Sequence, residues 1–304
     1  MFLLNGKKRN DIKWQKAKVT EQDFNGKHAV IVGGTNGLGR AIALQMLKHG
    51  AKVTVVGRTF RDEGSGLDFI QADLSTLQNA KTAAEKINPV DLDYLILTTG
   101  IFSSVTRKAN SEGVELDLAV SYLSRYVIMD HLAQQITKSS SGKSRVFIMG
   151  FPGMNVKANI DDFNSEKKYN AGTAHYNTII GNEALVHHYA DAPNFNCYGL
   201  NPGLIKSDIR TGLTGKGSIL TNFIEFILSV IYPDADTYAK SLLGVIQSED
   251  LENRTGLMIN RNMDIIHTSK QFKDPSFVQK VIQASKKIVD KVLVEPSAMS
   301  ANSN

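Results

Sequence analysis

The chain has 304 residues, of which 42% are hydrophobic and 21% are charged, and its net charge is +5. These values exclude an intrinsically disordered chain, a collagen-like chain and a disulfide scaffold. The single cysteine, Cys197, allows no disulfide within the chain, which predicts a reducing, cytoplasmic environment. Positive charge is concentrated in the terminal segments 1–28 and 270–291 rather than on a face interleaved with aromatic residues, so we expect no binding of nucleic acid.

Short apolar runs alternate along the chain with segments that have helical spacing. The runs predict strands at 28–32, 52–56, 67–71, 94–97, 145–149, 194–200 and 256–259. The segments predict helices at 37–49, 76–87, 112–136, 171–190 and 235–247. Strands that are apolar throughout and separated by helices indicate a parallel sheet covered on both faces. We therefore predict an α/β fold, a Rossmann-type doubly wound parallel sheet of about seven strands in a three-layer α/β/α sandwich.

One domain accounts for most of the chain, because no linker separates residues 27 and 260. We assign residues 1–23 to an N-terminal extension, 24–262 to the Rossmann domain, 263–295 to a C-terminal helical segment and 296–304 to a disordered tail. The domain contains an apolar insertion around 206–232. Its longest apolar stretch, 219–232, is too short and too polar to cross a bilayer, so we expect no membrane span.

A glycine-rich loop at residues 33–39, Gly-Gly-Thr-Asn-Gly-Leu-Gly, joins the first strand to the first helix. Glycines permit a tight turn there, the approach of a pyrophosphate to the backbone, and close packing of helix on strand. The helix N-terminus offers free N–H groups and a positive dipole to phosphates. The loop therefore predicts a dinucleotide site, and the alternative is a glycine-rich turn without a ligand.

The spacing Gly-x-x-x-Gly-x-Gly in this loop resembles that of the short-chain dehydrogenase/reductase family. Asp73 follows the third strand, where the family uses Asp to contact adenine, and residues 201–207 resemble the family's Pro-Gly-x-Val-x-Thr segment beside the nicotinamide. The resemblance covers residues 24–262 and is greatest to an outlying subgroup of fungal oxidoreductases that lack the usual Tyr-x-x-x-Lys pair. It implies that a nicotinamide dinucleotide binds at Gly33, Thr35, Asn36, Gly37, Leu38, Gly39, Arg58, Asp73, Thr98, Gly100, Pro202, Gly203, Ile205 and Ser207.

The end of the second strand predicts which dinucleotide is preferred. An Asp at this place would accept hydrogen bonds from the adenosine ribose and repel a 2′-phosphate. This chain has Gly57 there, followed by Arg58, which can bind a phosphate by charge-assisted hydrogen bonds. We therefore expect NADP(H) to be favoured, with NAD(H) as the alternative cofactor. The less favoured alternative is that Arg58 is a solvated Arg at a strand end.

The family's chemistry depends on an Asn, a Ser and a Tyr-x-x-x-Lys pair, and this sequence keeps no complete set. The long helix places Ser121 where the family has Asn, and the fifth strand is followed by Gly150 in place of Ser. In the next helix, one alignment places His175 on the Tyr and Ile179 on the Lys. A slip of one residue keeps Tyr176 and again replaces the Lys by isoleucine.

Either alignment leaves the proton donor without the family's Lys. A tyrosine has a free pKa of about 10 and needs a nearby cation to act near neutrality, whereas a histidine titrates near about 6.5 and needs none. His175 is therefore a coherent replacement donor, Tyr176 is a less favoured one, and Ser121 completes the candidate catalytic residues. The alternative is that His175 is only a polar helix residue in a site that has lost its chemistry.

Two functions are consistent with these residues. The favoured one is an NAD(P)(H)-dependent oxidoreductase that reduces aldehydes or ketones to alcohols with a non-standard proton donor. The other is a catalytically inactive protein of this family that binds NADP(H) as a regulatory or scaffolding module. The insertion at 206–232 occupies the place of the family's substrate lid, and its apolar residues favour a hydrophobic or small carbonyl substrate. A homodimer is compatible with the resemblance, and no metal site is expected.

Overall fold

Eight strands form one sheet: β1 His28–Val32, β2 Lys52–Gly57, β3 Asp68–Gln71, β4 Tyr94–Leu97, β5 Ser144–Met149, β6 Phe195–Asn201, β7 Leu257–Asn260 and β8 Ile265–Ile266. Their spatial order is β3-β2-β1-β4-β5-β6-β7-β8. The computed structural model describes residues 6–12, 22–137, 139, 142–203, 234–252 and 254–294, so the insertion at 206–232 and the tail at 296–304 lie outside the described residues. All pairs from β3 to β7 are parallel, and β8 is antiparallel to β7.

Helices cover both faces of the sheet, which confirms the predicted three-layer α/β/α architecture. In β1, Ala29 and Ile31 pack in one apolar core, while Val30 and Val32 pack in the other, because successive side chains of a strand point to opposite faces. The helices are α1 Gly37–Lys48, α2 Leu77–Lys86, α3 Leu116–Leu118, α4 Ser124–Leu132, α5 Ala171–His188, α6 Ala235–Ile246 and α7 Pro275–Leu293. The first core is closed by α1 and α6, and the second by α2, α4, α5 and α7.

The helix predicted at 112–136 is shorter than expected and is interrupted. It begins with α3, passes through a π-helical turn at Ala119–Leu123 and continues as α4 to Leu132. Glu112 is not helical, because its carboxylate accepts hydrogen bonds from the N–H groups of Leu77 (2.7 Å) and Gln78 (3.0 Å). This carboxylate therefore serves the N-terminus of α2, where free N–H groups need acceptors.

Glu112→Ala should lower the free energy of unfolding by about 1–2 kcal/mol, the usual cost of losing a helix N-terminal acceptor. Urea unfolding of the purified protein measures this. Glu85→Ala is the matched control, since Glu85 is exposed on α2 itself and should change the free energy by less than about 0.5 kcal/mol. Equal losses in the two variants would contradict the role assigned to Glu112.

The segment at 263–295, which the sequence predicts to be a C-terminal helical segment, contains a short strand as well as a helix. Residues 265–266 form β8, and the helix of this segment spans Pro275–Leu293. The N-terminal extension covers the outer edge of β8, where Lys8 forms an antiparallel bridge with Ile266. Edge strands expose unpaired N–H and C=O groups, and this bridge satisfies some of them. Among the described residues, no helix has the length and apolar character needed to cross a membrane.

Candidate active site

A cleft of about 720 Å³ opens at the carboxyl ends of the parallel strands, where ligands bind in doubly wound sheets. Twelve of the fourteen predicted cofactor residues line it, together with Ser121 and His175. The other two, Ile205 and Ser207, lie outside the described residues. Gly57, Gly150 and Ile179, which the sequence analysis also named, line the cleft. The lining residues that the sequence analysis did not name are Ala72, Leu74, Ser75, Thr99, Ile101, Phe102, Leu116, Val120, Arg125, Met149, Phe151, Thr178 and Asn182.

The glycine-rich loop leaves the N-terminus of α1 open toward this cleft. Asn36 is the N-cap residue, but its side chain makes no capping hydrogen bond, and the first turn holds no acidic residue. Gly37 has a φ of +53°, and a Cβ built there would meet no atom within 4 Å. At Gly39, a Cβ would lie 2.3 Å from the carbonyl oxygen of Gly33, so only glycine allows this packing. The loop thus combines free N–H donors with the open space that a pyrophosphate requires.

The end of β2 has no room for the acidic residue of an NAD site. A Cβ at Gly57 would lie 2.3 Å from Oγ1 of Thr35, so a side chain there would displace the phosphate loop. Arg58 follows, is exposed and lines the cleft. Its loop is held to α1 by Arg40, whose Nε donates to Asp62 at 2.8 Å. This Arg40 guanidinium also lowers the pKa of Asp62, mainly through the hydrogen bond.

The residues expected near adenine and nicotinamide have simple local contacts. Asp73 is exposed, and its Oδ1 accepts from the N–H of Ser75 at 3.1 Å, which fixes the turn after β3. The hydroxyl of Thr98 donates to the carbonyl oxygen of Val32 at 2.9 Å and so links the ends of β4 and β1. Gly100, Pro202 and Gly203 also line this part of the cleft.

His175 enters the cleft from α5 and is held by a buried carboxylate. Its Nδ1 lies 2.8 Å from Oδ2 of Asp117, whose side chain is fully buried, and the His175 side chain itself is 20% exposed. Asp117 also accepts hydrogen bonds from the hydroxyls of Ser103, at 2.8 Å, and of Ser121. The ring of Phe102 lies against the imidazole, with 5.1 Å between ring centroids. The carboxylate thus holds one imidazole nitrogen while the ring remains reachable from the cleft.

The two candidate donors have different positions. Tyr176, the alternative donor, is 40% exposed and is not among the residues that line the cleft. Ile179, one turn after His175, lines the cleft and is 5% exposed, whereas Ile180 is fully buried in the apolar core. Of the two candidate donors, His175 therefore lines the cleft and Tyr176 does not.

The absence of the family's Ser at Gly150 has a steric reason. A Cβ at Gly150 would lie 2.6 Å from the Cβ of Asn182, so the neighbouring side chain fills that space. The amide of Asn182 donates to the carbonyl oxygens of Ser121 and Thr178, both at 2.8 Å. Its Oδ1 accepts from Nη1 of Arg125, also at 2.8 Å. A buried polar network from α4 and α5 therefore replaces the serine.

Arg125 is a buried cation of the cleft that the sequence analysis missed. Besides Asn182, its guanidinium hydrogen-bonds the carbonyl oxygens of Met149 and Thr99 at the ends of β5 and β4. Among the described residues, its Nε has no hydrogen-bond partner. Burial lowers the pKa of Arg125 to about 9, and the charge of Asp117 opposes this shift, so the guanidinium is charged at neutral pH. The four-residue spacing of positions 117, 121 and 125 could have shown that these side chains share one helix face.

The described residues contain no group of three His, Cys, Asp or Glu side chains that could hold a metal ion. The cleft contains an imidazole held by a carboxylate, a buried guanidinium and the open N-terminus of α1. An open helix N-terminus fits the phosphates of a dinucleotide, and an imidazole held by a carboxylate fits proton transfer. The cleft thus places an anion-binding helix N-terminus and a titratable side chain together.

Comparison with known proteins agrees with this description. The family model described as short chain dehydrogenase matches residues 27–155. The chain is 41% identical to the uncharacterized oxidoreductase YKL107W of Saccharomyces cerevisiae, over 97% of this chain and 98% of that protein. A protein from Mycobacterium paratuberculosis has a similar structure, with a TM-score of 0.66 and 18% identity over 91% of this chain and 98% of that one. A short chain dehydrogenase of Shigella flexneri complexed with NADP has a TM-score of 0.59 and 16% identity, over 80% of this chain and 100% of that one.

The chain therefore belongs to the short-chain dehydrogenase family. The resemblance to fungal oxidoreductases of this family, predicted from the glycine loop and the segment at 201–207, is confirmed. Membership makes the protein an oxidoreductase of a family that generally uses NAD(P). The likeness to solved structures, all below 25% identity, supports the Rossmann-type fold alone.

Proposed function

We propose that this protein is an NADP(H)-dependent reductase of aldehydes or ketones, in which His175 donates the proton to the carbonyl oxygen. The observation that carries this proposal is that one cleft is lined both by the open N-terminus of α1 and by His175. A dinucleotide needs the first, and general acid catalysis needs the second. A binding module without catalysis would not require the Asp117–His175 pair.

The residues of the cleft fit a dinucleotide phosphate at two places. The free N–H groups at Asn36 and Gly37 would bind the pyrophosphate, and the guanidinium of Arg58 would bind a 2′-phosphate. Asp73 would contact the adenine, and Thr98 and Gly100 would border the nicotinamide. When bound, the reduced nicotinamide supplies the hydride.

The proton is supplied by the chain itself. The N–H bond at Nε2 of protonated His175 breaks, and the proton forms an O–H bond on the carbonyl oxygen of the substrate, which becomes an alcohol. The imidazole then takes up a proton from water, because its side chain remains 20% exposed. Tyr176, outside the cleft lining, is not needed for this transfer.

The substrate wall of the cleft is apolar around the imidazole. Ile101, Phe102 and Phe151 line it, and the Phe151 ring centroid lies 6.4 Å from that of His175. Phe151 has a φ of +53°, which is costly for a residue other than glycine, so its position is maintained against a local strain. Apolar walls exclude water and bind hydrocarbon, which supports an apolar aldehyde or ketone as the substrate.

Arg58→Ala should weaken NADPH binding by about 1.5–3 kcal/mol, the range for a hydrogen bond to a charged group, and leave NADH binding nearly unchanged. Titration calorimetry with both dinucleotides measures this. Arg61→Ala is the control, since Arg61 is exposed in the same loop but does not line the cleft. Equal losses for NADPH and NADH would refute the assignment of Arg58 to the 2′-phosphate.

The decisive experiment for the proposed function is a panel of aldehydes and ketones with NADPH and with NADH, followed by the absorbance of the reduced nicotinamide. We expect turnover of apolar carbonyl compounds, faster with NADPH. NADPH binding without turnover of any compound would favour the regulatory or scaffolding module instead.

A homodimer and a cytoplasmic location stay predictions, to be checked by light scattering and by imaging of the tagged protein.

A further inference from the structure

We propose that Asp117 is a positioning residue that fixes the tautomer and orientation of His175 for proton transfer. This inference rests on the proposed function and adds to it a group that does not touch the substrate. Asp117 lies on α3, and His175 lies on α5, 58 positions later in the chain. The contact between them is thus made by the tertiary fold and not by helical neighbourhood.

The contacts of Asp117 leave its carboxylate little freedom to rotate. Oδ2 accepts from Nδ1 of His175 and from the hydroxyl of Ser103, both at 2.8 Å, and Oδ1 accepts from the hydroxyl of Ser121. The Ser121 hydroxyl in turn accepts the N–H of Ile101 at 2.9 Å. Its own hydrogen has two acceptors, of which Oδ1 of Asp117 is nearer than the carbonyl oxygen of Ile101 at 3.3 Å. A buried carboxylate is costly unless it is hydrogen-bonded and near a cation, and Arg125 supplies the nearby charge.

This arrangement determines which imidazole nitrogen can serve the substrate. An Asp oxygen accepts hydrogen bonds, so Nδ1 of His175 must carry a hydrogen toward it. No described residue hydrogen-bonds Nε2, which is therefore the nitrogen left for the cleft. After Nε2 has given its proton to the carbonyl oxygen, the neutral ring keeps the hydrogen on Nδ1 and its contact with Asp117. The ring can then accept the next proton at Nε2 without rotating.

A purely structural role for Asp117 is the competing explanation, and Glu183 provides its matched control. Glu183 is also fully buried and lies on α5, but it does not line the cleft. Its carboxylate accepts from the N–H groups of Gly153, at 3.0 Å, and Ser269, at 2.6 Å. Loss of either carboxylate should destabilise the protein, whereas only the loss of Asp117 should change proton transfer.

Asp117→Asn should lower kcat by at least about 10²-fold, as expected when an oriented histidine loses its carboxylate. The KM for the carbonyl substrate and the Kd for NADPH should change by less than about twofold, since Asp117 is fully buried and does not line the cleft. Glu183→Gln should keep the wild-type kcat at temperatures where both variants are folded. A wild-type kcat in Asp117→Asn would overturn the inference. The proposed function would not fail with it, because the substitution His175→Phe tests that function separately.

A spectroscopic test of the imidazole tautomer needs no turnover, and its main measurement is made on the wild-type protein. Nitrogen NMR of the wild-type protein with labelled histidine should show neutral His175 with its hydrogen on Nδ1, and Tyr176→Phe should leave this signal in place. Asp117→Asn, where it folds, should lose this tautomer preference. A neutral wild-type ring with its hydrogen on Nε2 would overturn the assignment of Asp117, whatever the reductase assay shows.

Discussion

His175→Phe should lower the rate of carbonyl reduction by about 10²–10⁴-fold, the usual contribution of a general acid, while NADPH still binds. Phenylalanine keeps a ring beside Phe102 but has no proton to give and no nitrogen for Asp117. The loss should therefore lie in kcat rather than in cofactor affinity. Steady-state kinetics with the best substrate of the panel measures the rate, and titration calorimetry measures the Kd of NADPH.

Tyr176→Phe is the matched control for this prediction and should do little, because Tyr176 is 40% exposed and lies outside the cleft lining. The pH profile provides a second check. A histidine donor must be protonated before transfer, so the reduction rate should fall as pH rises, whereas a tyrosine donor would keep its rate to a much higher pH. Full activity in His175→Phe with loss in Tyr176→Phe would show that the alignment is wrong by one residue.

The fold could be predicted because each strand is a short apolar run followed by a helical pattern. Burial on both faces requires such runs, and right-handed crossovers leave few topologies for them. The strand Ile265–Ile266 could not be predicted, since two isoleucines have no periodicity. It pairs with β7 on one side and forms a bridge with Lys8, far away in the chain, on the other. The helix interruption at Ala119–Leu123 was equally hidden, because its apolar residues continue the helical pattern.

The candidate site was predicted where a single backbone segment builds it and was missed where several segments meet. The glycine loop is contiguous, so its function could be inferred from spacing. Asp117 and Arg125 were missed because a charged residue in a predicted helix is usually assigned to a solvated face. Only the packing of α3, α4 and α5 shows that both are buried at the cleft. The same packing explains why Asn182 excludes a serine at Gly150.

Burial of these charges also changes how the missing Lys should be understood. The sequence indicated a site with no cation beside the donor, since Ile179 takes the place of Lys. The structure instead has the charged guanidinium of Arg125 at the ends of β4 and β5. The carboxylate of Asp117 lies near this guanidinium and contacts His175. The site thus contains a buried network in which the carboxylate of Asp117 contacts His175, the proposed proton donor, directly.

Gly37→Val should abolish the binding of both dinucleotides, raising their Kd above the millimolar range. The Cβ position at Gly37 faces open space in the cleft, so a valine side chain would occupy the volume beside the free N–H groups of α1. These groups are the proposed pyrophosphate site. With valine at position 37, the pyrophosphate could no longer contact the backbone. Titration calorimetry of NADPH and NADH against the folded variant measures the effect.

Backbone strain must be separated from loss of the phosphate site, because Gly37 has a φ of +53°. Valine in this conformation costs about 1–3 kcal/mol wherever it occurs. Gly26→Val is the matched control, since Gly26 has a φ of +71°, is exposed and also has no atom within 4 Å of a built Cβ, but lies outside the cleft lining. Both variants should lose similar stability in urea, and only Gly37→Val should lose the dinucleotides. Wild-type affinity in folded Gly37→Val would show that the phosphates bind elsewhere, and the cleft would then need another ligand.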